Sequence, residues 1–75
     1  MDLAAIGQRF LNHESIPNVA FEHNDYVEIV GGDHRGKFGS LVTVATLEPE
    51  TVYVVELESG YDVQIPQSQL KRADP

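Results

Sequence analysis

The three histidines, His13, His23 and His34, are the side chains of this sequence best suited to holding a metal, with Asp25 or Asp33 as carboxylate partners. Ligands presented from one element must lie a helical turn or a strand step apart, and no pair of these histidines has that spacing. They are predicted to be surface residues, with no metal. Glu56 and Glu58 stand two positions apart, so on a strand both carboxylates share a face. General acid–base chemistry uses such pairs, but so does the solvated side of any half-buried strand, and the flanking apolar alternation favours the second. Gly31-Gly32-Asp33-His34-Arg35-Gly36-Lys37 is dense in glycine, yet it lacks the Lys-Ser/Thr ending of a phosphate loop and no helical pattern comes after it. The chain has no cysteine, and neither a nucleophile elbow nor a zinc signature is present. These residues predict a protein that is not an enzyme, with no cofactor and no small-molecule substrate.

The elements that position these side chains change character near His23. Before it, Leu3, Ile6, Phe10 and Leu11 recur as a short helical stripe. Gly7 weakens that helix by about 1 kcal/mol relative to Ala, Asn12 and His13 end it, and Ile16-Pro17-Asn18 turns the chain. Val19-Ala20-Phe21 is an apolar connector or a cover over one end of the core. So short a helix is marginal alone and is expected to dock on the strands of the C-terminal part. From Tyr26 the period is two: strands are predicted at Tyr26–Val30, Ser40–Leu47 (bent), Val52–Leu57 and Tyr61–Ile65, with a last short one at Leu70 and Lys71. Glu48-Pro49-Glu50 and Glu58-Ser59-Gly60 are turns, and Gln67-Ser68-Gln69 has room for one 3₁₀ turn. Five short strands at close spacing predict an all-β protein, a small five-stranded barrel with a short N-terminal helical segment. The division is residues 1–22 as helix and connector and residues 23–73 as barrel.

The most specific signal is Asp25 to Val42, DYVEIVGGDHRGKFGSLV. Val27 and Ile29 are followed by Gly32, Gly36 and Gly39 and then by Leu41. Gly32 and Gly36 fall where the loop reverses, a place for positive φ. Gly39 falls where a second strand starts close against a neighbour. This pattern resembles the KOW motif, and VYVVELESG followed by VQIPQSQL resembles the closing strands and 3₁₀ turn of an SH3-like barrel. The resemblance runs over residues 25–71 and implies that fold. Modules of the family occur in ribosomal proteins and transcription-elongation factors, where they touch RNA or protein. It implies a binding loop at His34, Arg35, Lys37 and Phe38. The family's RNA-contacting loop is typically rich in lysine and arginine, whereas this one offers Arg35 and Lys37 with Asp33 opposing them.

Charge bears on the partner. Twelve acids against five Lys and Arg give a net charge of −7, which repels phosphate backbones and attracts basic surfaces. Glu48, Glu50, Glu56, Glu58 and Asp62 occur with no intervening base and are expected to form one acidic face. The function expected is therefore protein–protein interaction with a basic partner, in the manner of a small inhibitor or immunity-type protein. The alternative is an RNA-associated role in transcription or translation, which the charge disfavours. Among the aromatics, Tyr26 should point away from Val27 and out of the barrel. Phe38, between Gly36 and Gly39, should sit at a loop apex, either exposed or folded over the barrel's open end, and Tyr53 and Tyr61 should be core or rim. The longest apolar run falls far short of the ~20 residues that span a bilayer, and Met1-Asp2-Leu3 lacks the basic start of a signal peptide. A cytoplasmic protein that does not contact membranes is expected.

Overall fold

The computed structural model describes residues 2–73. Helix α1 (Leu3–Leu11) starts where the Asp2 carboxylate accepts the Ala4 amide at 3.1 Å, capping a donor that has no partner within the helix. It ends at Asn12, with His13 next at φ 57°. Ile6 and Phe10, one turn apart, are buried, while Leu3 and Leu11 are about half exposed. The predicted stripe is thus narrower than expected, because Leu11 is rotated ~100° from Phe10 and Leu3 opens onto a hollow beside Thr46 and Leu47. The helix is too short, at nine residues, and too polar on its outer side to cross a membrane.

The remainder is one antiparallel sheet of five strands: β1 (Tyr26–Ile29), β2 (Phe38–Thr46), β3 (Val52–Leu57), β4 (Asp62–Pro66) and β5 (Leu70–Arg72), in the order β4-β3-β2-β1-β5. A 3₁₀ turn at Gln67–Gln69 links the last two. Register shifts between Leu41 and Thr43 and between Val44 and Thr46 bend β2, and α1 packs on that strand. Several strand ends differ by one or two residues from the sequence expectation, and two of them bear on the site. Strand β2 starts at Phe38 because Phe38 pairs with Glu28 and the Ile29 amide reaches the Lys37 carbonyl at 2.8 Å, so Phe38 is in a strand and not at a loop apex. Strand β1 stops at Ile29 because the Val30 amide turns to the Gln69 carbonyl instead. Tyr61, expected at the core or rim, is 75% exposed. It lies at the hairpin mouth, where its carbonyl accepts from Leu57 and the ladder gives way to the turn.

Every strand contributes to a single core: Val27, Ile29, Leu41, Val44, Tyr53, Val55, Leu57, Ile65 and Leu70, joined by Ile6, Phe10 and Ile16 from the N-terminal segment. Two features lock it. A Cβ at Gly39 would overlap the Glu56 carbonyl and lie 2.9 Å from Val55 Cγ1, so β2 approaches β3 more closely than a side chain permits. At the other end, the Tyr53 hydroxyl donates to Gln67 Oε1, the Ala20 amide donates to both, and Thr51 Oγ1 donates to the Asn18 carbonyl at 2.8 Å. The connector is thereby tied down over the core, with Val19 and Phe21 packed against it.

Gly39→Ala should destabilise the protein by about 1–3 kcal/mol through overpacking, read as a lower urea midpoint; an unchanged midpoint would contradict the close approach. Burial pushes the Tyr53 phenol above its ordinary value of 10.0, the Asp25 charge adds to this, and backbone hydrogen bonds at Phe21 and Ala20 oppose it. The folded state thus holds the proton more tightly than the unfolded chain. Its contribution is complete below about pH 10 and is lost as the pH rises through the folded-state value. Tyr53→Phe should reduce that alkaline loss, and identical alkaline unfolding profiles would refute the assignment.

A candidate binding face on the outer side of the sheet

Residues directly opposite in an antiparallel pair share a face, so the register alone assembles the surface opposite the core. One row runs Tyr26, Ser40, Glu56, Asp62 across β1 to β4, and the next runs Lys71, Glu28, Phe38 across β5, β1 and β2. Tyr26 and Phe38 are diagonal neighbours on this face, and their rings stack with centroids 5.9 Å apart and planes 16° from parallel. The β3–β4 turn folds alongside, its Glu58 amide donating to the Phe38 carbonyl at 3.3 Å. The Tyr26 hydroxyl donates to the Glu58 carboxylate. That hydrogen bond, then desolvation, then the carboxylate's charge hold the Tyr26 phenol above its ordinary 10.0.

A shallow cleft of about 210 Å³ opens beside the stack, lined by Gly36, Lys37, Phe38, Leu57, Glu58 and Ser59. Phe38 is 37% exposed there, a large apolar surface bordered by carboxylates. Glu56 and Asp62 face each other across β3 and β4, an opposition that costs stability because like charges at directly opposed positions repel. Among the described residues Arg9 pairs with Glu14 and Arg72 with Asp25, and His13 Nδ1 lies 3.8 Å from Glu22; none of these contacts engages Glu56, Glu58 or Asp62.

Of the residues expected to bind, Lys37 and Phe38 of the loop and Glu56, Glu58 and Asp62 of the acidic group come together around this face. His34 and Arg35 lie further out in the β1–β2 loop, whose neck closes where the Gly36 amide donates to the Ile29 carbonyl at 2.7 Å. Gly32 and Gly36 have φ of 78° and 90°. Glu48 and Glu50 are not brought to the face. They precede β3 at its other end, roughly 17–20 Å away along the strand, where Glu50 accepts the Ser68 amide at 3.0 Å. Sequence reasoning missed Glu28 and the exposed Tyr61, although the alternation that sends Tyr26 outward also sends Glu28 outward.

Folding also brings two of the histidines together. His13 and His23 have ring centroids 6.1 Å apart, and His23 Nδ1 lies 2.9 Å from the Val42 carbonyl. Among the described residues no three His, Asp or Glu side chains are grouped as a cation site requires. Comparison with protein-family models, curated proteins and solved structures gave no match to this chain.

A spectrophotometric titration should show the Tyr26 step above pH 10, absent in Tyr26→Phe and moved down in Glu58→Gln. A step that stays in place in Glu58→Gln would contradict the hydrogen bond as its cause.

Proposed function

We propose that the sheet closes into a small SH3-like barrel of the KOW kind and that the protein is a non-enzymatic, cytoplasmic module that binds a basic partner protein on the outer face around Phe38 and Tyr26. The bends in β2, the pairing of β1 with β5 and a core fed by every strand support the barrel. The observation that carries the function is the uncompensated opposition of Glu56 and Asp62, with Glu58 beside them, around an exposed apolar ring. A folded protein keeps such a local conflict where function requires it, and a cationic surface relieves it. A basic toxin or nuclease held by a small acidic inhibitor is one partner of this chemistry. A phosphate backbone on the same face would meet the acids first.

Neutralising the face separates binding from folding. Glu56→Gln with Asp62→Asn should raise stability by about 0.2–1 kcal/mol and weaken binding of a mixed Arg/Lys peptide severalfold at low salt. In the native protein that binding should fall as salt rises. No binding at low salt, or binding indifferent to salt, would overturn the proposal. A single-stranded RNA that binds at low salt and is lost on Arg35→Ala with Lys37→Ala would replace it with the nucleic-acid role.

A further inference from the structure

We propose that Phe38, stacked on Tyr26 and bordered by Glu58, is a seat for an arginine side chain of the partner, and that it distinguishes arginine from lysine. The inference rests on the basic-partner reading and specifies the group recognised. Tyr26 stacks against the Phe38 ring, and the cleft of about 210 Å³ is lined by Phe38 together with Leu57, Glu58 and Ser59. Any ring face that Tyr26 leaves open is flat, because an aromatic ring is planar. A planar guanidinium can lie on such a ring face while its N–H groups point outward in its own plane; a lysine ammonium is a strongly hydrated point charge and gains less from the same contact.

Glu58 lines the same cleft and offers those N–H groups an acceptor. A phenol hydroxyl lies in the plane of its ring, so the carboxylate that accepts from Tyr26 sits at the rim of the stacked pair and not over its face. Oε1 takes the Tyr26 hydroxyl, and among the described residues Oε2 accepts no hydrogen bond. The tyrosine thus orients a carboxylate with one oxygen open, and charge-assisted pairing with an arginine uses that oxygen. Glu56 and Asp62, one row over, add negative potential, and among the described residues no cation pairs with them. Lys37 lines the same cleft and opposes a cationic guest. Its removal should therefore strengthen the seat, the reverse of what an anion site there would show.

The test compares oligo-arginine and oligo-lysine peptides of equal length by calorimetric titration at low salt. The arginine peptide should bind about 2–5-fold tighter. Phe38→Leu, which keeps apolar bulk but removes the ring face, should erase that preference by weakening the arginine peptide more than the lysine peptide. Lys37→Ala should tighten both peptides. On the native protein, amide shift changes caused by the arginine peptide should centre on Phe38, Leu57 and Ser59, a readout that does not depend on how any variant folds. Equal affinities, a preference that survives Phe38→Leu, weaker binding in Lys37→Ala, or shifts centred near Glu48 and Glu50 would each overturn the seat while leaving a basic partner in place. Failure of both peptides to bind would instead remove the basic-partner reading itself. Self-association through this face, seen as a mass that rises with concentration, would also overturn the seat.

Discussion

At Gly39 the β2 backbone runs against the carbonyl of Glu56, and no side chain fits between them. Much of the molecule depends on this contact. It fixes Gly39 between Val27 and Leu57 and therefore sets the register on both sides of β2. With that register Leu41 enters the core and Phe38 leaves it. A slip of one residue would exchange the two faces, burying Phe38 and Ser40 and exposing Leu41. The same closeness brings the β3–β4 turn to Phe38, where the Glu58 amide bonds the Phe38 carbonyl. Core and candidate site are thus two sides of one alignment.

The far end of the sheet is held by different means. Tyr53 belongs to the core by its ring, which touches Phe10 and Phe21, and to a polar clip by its hydroxyl. Through Gln67 and Thr51 the clip satisfies the backbone around Asn18 and Ala20. A chain of this size buries a smaller share of its surface than a larger domain does, and this one has no disulfide to assist. Ile6, Phe10 and Ile16 are consequently a substantial part of one core.

The surface is arranged on another principle. Asp25 is paired with Arg72 at 3.1 Å and steadies the end of the sheet. Glu56 and Asp62 face each other across β3 and β4, and among the described residues no cation pairs with either. The arrangement weakens the free protein slightly and leaves an unsatisfied attraction for cations beside an exposed ring.

The sequence alone determined the order of the strands, the turns, the 3₁₀ segment and most of the inward residues, because alternation and glycine placement are local properties of the chain; Leu3, Leu11 and Tyr61, which turn outward, are the exceptions. Tyr26 was assigned outward by the same rule. Composition determined the net charge but not where it sits. Glu48 and Glu50 read as continuous with Glu56, Glu58 and Asp62, yet the length of β3 separates them, and no one-dimensional spacing reveals which end of a strand an acid occupies. Gly36 and Gly39 bracketing Phe38 resemble a loop apex in the sequence, and only the ladder to Glu28 places Phe38 in a strand. The stacking of Phe38 on Tyr26, the hydroxyl link from Tyr26 to Glu58 and the facing of Glu56 by Asp62 are contacts across strands. Register decides them, and register is fixed only when the whole core packs.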